Sequence, residues 1–122
     1  MAKILVVDDS ETLRIQLRKF LESQLYSVVE ADNGEAGIQE YTSNTDIDLI
    51  LCDVNMPLMD GLTMCEGIAT QFPDRKVPIF MLTTESSKEM KIRGKAAGVM
   101  AWVTKPFAEE KLLMAVKQVI GS

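Results

Sequence analysis

The chain has 122 residues, 47% hydrophobic and 25% charged, enough apolar material for the core of one domain and too much for a disordered segment. Lys and Arg number 13 against 18 Asp and Glu, a net charge of −5, which makes it a poor general ligand for nucleic acid or an anionic membrane. The sequence has no histidine, so Ser-His and Cys-His catalysis, imidazole metal ligands and a phosphohistidine on this chain are excluded.

Short apolar runs alternate with longer amphipathic ones. Ile4–Val7 reads as a strand buried on both faces. Ser10, or Asp9 before it, can cap a helix whose apolar positions Leu13, Leu17, Phe20 and Leu21 recur at helical spacing. Tyr26–Val29 is a second strand, and Asp32-Asn33-Gly34 turns the chain into a short helix through Ala36 and Tyr41. Asp48–Cys52 is a third strand. A loop from Asn55 to Gly61 follows, with Asp60 placed to cap a third helix through Leu62, Cys65 and Ile68 that stops near Pro73. Pro78–Leu82 is the fourth strand. Ser86-Ser-Lys-Glu89 fits a capping box for a fourth helix, which Gly98 can stop. Gly94, inside that helix, costs ~1 kcal/mol relative to Ala and predicts mobility there. Ala101–Thr104 is the fifth strand, and Leu112, Leu113, Val116, Val119 and Ile120 line the last helix.

Five strand–helix units predict an α/β fold in a single domain spanning 1–122, a doubly wound five-stranded parallel sheet with five helices on its two faces. Five units are too few for an eight-stranded barrel. No apolar run approaches the ~20 residues that cross a bilayer. The start reaches acidic Asp8 too soon for a signal peptide. Cys52 and Cys65 make neither a disulfide framework nor a zinc site. A cytoplasmic location and no membrane contact are expected.

Open α/β sheets place their sites at the carboxyl ends of the strands. Asp8 and Asp9 follow the first strand here, Asp53 the third, Thr83 the fourth and Lys105 the fifth. If strands one and three are neighbours, three carboxylates share a crevice. Two such charges 4 Å apart repel by about 4 kcal/mol at an effective dielectric of 20. They need a cation, or one of them must hold a proton. Oxygen ligands without His or Cys select Mg²⁺ or Mn²⁺ over zinc. With Mg²⁺, the Lys105 ammonium and the Thr83 hydroxyl could neutralise a phosphoryl group carried by Asp53 as a carboxylate nucleophile. Taken singly, Asp9 is a helix cap, Asp53 a turn former and Lys105 a solvated charge; the specific signal is their grouping on one edge of the sheet.

Val7-Asp8-Asp9-Ser10, Asp53-Val-Asn-Met-Pro-Leu-Met-Asp-Gly61, Leu82-Thr83-Thr84-Glu85 and Val103-Thr-Lys105-Pro106-Phe107 together resemble the receiver domains of two-component response regulators. The resemblance spans essentially the whole chain and implies the flavodoxin-like strand order 2-1-3-4-5. It implies Asp53 as phospho-acceptor, Asp9 and Asp53 as direct Mg²⁺ ligands, Asp8 acting mainly through water, and the backbone carbonyl of Asn55 completing the site. Thr83 and Lys105 match the phosphoryl-contacting switch residues, and Lys105–Pro106 a bond that is usually cis in the family. No output domain is expected after the fifth helix, as in the stand-alone chemotaxis-type members. The family usually has Tyr or Phe three residues before the lysine; here Trp102 stands there, and an indole is larger than a phenol.

The resemblance further implies a switch rather than an enzyme, monomeric, phosphorylated by a sensor histidine kinase. It would signal to the flagellar motor switch or another protein through helix four, strand five and helix five. Lys88, Lys91 and Lys95 fall on one face of helix four, which reads either as a solvated surface or as a dock for an acidic segment. Asn55 and Glu85, two residues after Asp53 and Thr83, sit where the family tunes phosphoryl lifetime, and predict a short one. Three alternatives are a phosphorelay intermediate or phosphate sink, an aspartyl-nucleophile phosphatase of the haloacid-dehalogenase type, and a flavodoxin-like cofactor binder. Asp8-Asp9 lacks the Asp-x-Asp spacing of the phosphatases, and two aspartates after strand one would repel a cofactor phosphate.

Overall fold

The computed structural model describes residues 1–121. Among them, strands β1 (Lys3–Val7), β2 (Ser27–Ala31), β3 (Ile47–Cys52), β4 (Ile79–Thr83) and β5 (Val99–Thr104) alternate with helices α1 (Glu11–Ser23), α2 (Gly34–Ser43), α3 (Gly61–Gln71), α4 (Lys88–Ala96) and α5 (Glu109–Ile120). All pairings are parallel, in the order β2-β1-β3-β4-β5. This is the expected doubly wound sheet, with its switch point between β1 and β3.

Apolar runs become central strands because both sheet faces are covered. On one face Leu5, Val7, Ile50, Cys52 and Met81 meet Tyr41 of α2 and Met64, Cys65 and Ile68 of α3. On the other, Ile4, Val6, Leu49, Leu51, Phe80 and Leu82 meet Leu17 and Leu21 of α1 and Leu112 and Val116 of α5. Burying each such aliphatic side chain contributes about 1.5–3 kcal/mol. No helix among the described residues is long and apolar enough to cross a membrane.

The caps follow the sequence with one shift. The side chains of Ser10, Asn33 and Asp60 accept from the amides of Leu13, Ala36 and Thr63, so Ser10 rather than Asp9 caps α1 and leaves Asp9 free of that duty. Helix α4 is capped by Ser87, which accepts from Met90 N at 3.1 Å, not by a box from Ser86 to Glu89. The helix starts one residue later than expected, so its third position is Met90, which has no side-chain oxygen to reciprocate.

Each strand starts one or two residues from its expected position, and for β2 and β5 the cause is visible. Strand β2 begins at Ser27, because Leu25 at φ 70° turns the chain and the Tyr26 amide closes α1 by donating to Leu21 O. Strand β5 begins at Val99, two residues early. Its pairing with β4 jumps from Ile79↔Val99 to Phe80↔Ala101, which bulges out Met100 and hides the strand's beginning from an alternation pattern.

Candidate functional site

The β1–β3 register builds the acidic crevice. Val7 pairs with Cys52, so the next residues, Asp8 and Asp53, leave the sheet side by side. Their amides stay tied to it: Asp53 N donates to Val7 O at 2.9 Å and Asp8 N to Ala31 O at 3.1 Å. One carboxylate oxygen from each of Asp8, Asp9 and Asp53 lies within 4.8 Å of the others. Asp8 is 2% exposed and Asp53 9%, while Asp9 is open to solvent.

Lys105 reaches in from the end of β5. Its Nζ stands 2.9 Å from Asp8 Oδ2 and 3.5 Å from Asp53 Oδ2. The Lys105–Pro106 peptide bond is cis, as the family resemblance implied. The Lys105 amide donates to Thr83 O, which joins the ends of β4 and β5. The Thr83 hydroxyl oxygen is buried and accepts from the Glu85 amide at 3.3 Å, leaving its own proton to donate elsewhere.

The two buried carboxylates, Asp8 and Asp53, also have backbone donors. Ser10 N donates to Asp8 Oδ1 and Val54 N to Asp53 Oδ1, both at 2.8 Å. Burial, then the neighbouring Asp8 charge, nevertheless raise the Asp53 pKa above the usual carboxylate value, with Lys105 and the Val54 amide opposing. Three carboxylates against one ammonium leave an excess negative charge. An oxygen-only donor set with that excess fits a hard divalent cation such as Mg²⁺.

The remaining expected residues divide. Asn55 and Glu85 meet directly, Asn55 Nδ2 donating to Glu85 Oε1 at 3.0 Å, so the two positions form one unit. Trp102 is half-buried on the α2–α3 side of the sheet, apart from the carboxylates. Lys88, Lys91 and Lys95 are all exposed on α4 and take no part in the crevice. Arg93 of the same helix is engaged, its guanidinium forked onto Glu66 of α3 at 2.8 and 3.2 Å. Among the described residues, the free cationic face of α4 is therefore the three lysines.

Two residues escaped the sequence reading. Arg14 of α1 donates to the Asp8 carbonyl at 2.6 Å and to Glu30 of β2 at 3.2 Å, anchoring the loop that carries Asp8 and Asp9. Its position one turn after Ser10 is the signal that could have found it. Gly61 packs so closely that a Cβ there would lie 2.0 Å from Asp53 O; no sequence periodicity reports such an approach. Cys52 and Cys65 are buried and free. The Cys52 thiol donates to Asp53 O at 3.1 Å, and contact with Cys65 together with burial pushes its pKa well up, so it is an inert core group.

This sheet, with its carboxylates at the β1 and β3 ends, Thr83 at β4 and a cis-linked lysine at β5, places the protein in a recognisable class. Residues 4–117 match the response regulator receiver domain family, and the chain belongs to it: it is the receiver domain of a two-component response regulator. The sequence is 34% identical over 121 residues to the chemotaxis protein CheY1 of Helicobacter pylori, covering 98% of each chain. It is 36% identical over 118 residues to the transcriptional regulatory protein ResD of Bacillus subtilis, covering 97% of this chain and 48% of ResD. The chain thus spans about half of one curated relative and nearly all of another. A solved structure of the Vibrio cholerae chemotaxis protein CheY4 superposes with a TM-score of 0.90 at 39% identity, over 98% of both chains.

Proposed function

We propose that the protein is a cytoplasmic phosphorylation switch that takes a phosphoryl group from a sensor histidine kinase onto Asp53 and signals by protein–protein contact, in chemotaxis. The reading rests on one observation above all: Asp8, Asp9 and Asp53 converge within 4.8 Å with Lys105 bridging two of them. The role in chemotaxis draws on the two full-length relatives of that description. ResD, matched over half its length, supports a second reading in which the same switch serves another pathway.

In transfer, a carboxylate oxygen of Asp53 attacks phosphorus. A P–O bond forms as the P–N bond to the donor imidazole breaks, and the imidazole leaves with the electron pair. Asp53 Oδ1 is fixed by the Val54 amide, which orients the nucleophile. Lys105 can shift its charge from the carboxylates to a phosphoryl oxygen, and the Thr83 hydroxyl can donate to another. Asp9, Asp53 and the Asn55 carbonyl would hold Mg²⁺ with Asp8 behind them, and the ion when bound supplies positive charge at the phosphoryl oxygens. The Asn55–Glu85 pair beside the acceptor provides polar groups that can orient attacking water, which favours a short-lived phosphoprotein. The chain acts on no other substrate in this reading.

Incubation with acetyl phosphate and Mg²⁺ tests it. The expected result is a mass gain of one phosphoryl group, lost on standing and absent from Asp53→Asn. An unchanged mass, or a label retained in Asp53→Asn, would overturn it.

A further inference from the structure

The inner face of α4 carries Met90 and Gly94, with Ala97 just past its end, and Gly94 is the one buried residue inside the helix. A glycine there is not explained by backbone geometry: Gly94 lies within a regular helix, and the positive-φ glycines are Gly98 and Gly121. Helix propensity argues for alanine. The explanation is space. A Cβ on Gly94 would stand 2.8 Å from Trp102 Cζ2 and 3.3 Å from Val99 Cβ. The first distance is closer than side-chain carbons tolerate, and the atom it meets belongs to a rigid ring whose whole side chain would have to swing.

We propose that Gly94 is the positioning residue for Trp102: a side chain missing from the inner face of α4, opposite the indole, that seats the aromatic and makes its movement and that of α4 a single motion. With the indole seated, α4 lies against the ring at Gly94. If the indole leaves, a slot opens that the helix can fill, and if the helix closes, the ring must go. Gly94 and Trp102 are thus a size-matched pair, and the helix is held by the aromatic rather than loosened by its glycine. The seat stands on packing alone. Its use in signalling rests on the proposed function above, through the end of β5, where Lys105 follows Trp102 by three residues.

Gly94→Ala tests the seat, read through the emission of Trp102, the only tryptophan. The variant should shift the resting emission to the red and increase acrylamide quenching, because the displaced ring meets water. A parent-like spectrum would overturn the proposal. Thermal melts of a double-mutant cycle separate packing from folding. Gly94→Ala should lower the melting temperature in the parent and raise it in Trp102→Phe, where helix propensity acts unopposed. A loss of stability in both backgrounds would show that the glycine serves something other than the indole. Should Gly94→Ala fail to fold, recovery by adding Trp102→Phe supports the seat and continued failure overturns it. Adding Mg²⁺ and beryllofluoride to the parent addresses signalling separately: an unchanged emission would remove Trp102 from the switch while leaving its seat intact.

Discussion

Asp53 is held where its charge is unwelcome. It is 9% exposed, beside a second carboxylate, with Lys105 shared between the two. Its pKa is raised in the folded chain, by burial first and Asp8 second. Between the unfolded and folded pKa values the native state therefore binds more protons than the unfolded state. Stability falls as pH rises through that window, and the penalty stays at neutral pH. A neutral side chain of the same shape removes it. Asp53→Asn without divalent cation should accordingly be more stable than the parent at pH 7, and the gain should vanish below the unfolded carboxylate pKa. If the gain is about 1 kcal/mol, melting temperature rises by roughly 4 °C for a domain of this size. Thermal melts in chelator at neutral and acid pH check both parts; a variant less stable at pH 7 would contradict the electrostatic account.

At the scale of elements, legibility tracked how local the cause was. Ser10, Asn33 and Asp60 cap their helices through bonds to amides three residues on, a relation that short sequence windows contain. Asp8, Asp53, Thr83 and Lys105 were legible because each directly follows or ends an apolar run, and the order of the strands does the rest. Met100 was not legible: its bulge depends on β4, twenty residues away in sequence. What Gly94 packs against was not legible for the same reason. Its propensity cost is local, while its explanation, the indole of Trp102, lies on another element. The α4 lysines could be counted from sequence, but only the structure shows Arg93 forked onto Glu66 and so removed from the free charge. If Lys88, Lys91 and Lys95 form a dock for an acidic partner segment, Lys91→Glu should weaken partner capture by the phosphorylated protein. Exposed charge pairs are each worth about 0.2–1 kcal/mol, so a single reversal should cost a few-fold in affinity. Phosphorylation by acetyl phosphate should keep the parent rate, since no α4 lysine enters the crevice. Unchanged capture would leave that face as solvated surface.

For the molecule as a whole, the fold concentrates unfavourable charge at one edge of a sheet whose two faces are well packed. The apolar clusters under α2–α3 and α1–α5 carry the stability that lets Asp8 and Asp53 remain buried and close. A divalent cation bound there acts on the folding equilibrium by mass action, because the unfolded chain does not bring Asp8, Asp9 and Asp53 together. At one hundred times its dissociation constant the gain is about 2.7 kcal/mol. Asp53→Asn keeps an oxygen donor but loses a charge, so it should gain less from the same addition. The two proteins should therefore change order: the variant more stable in chelator, the parent more stable in saturating Mg²⁺. Melts across a Mg²⁺ titration would show the curves crossing. Parallel curves would mean that the Asp53 carboxylate contributes nothing to cation binding, and that Asp8 and Asp9 hold the ion without it.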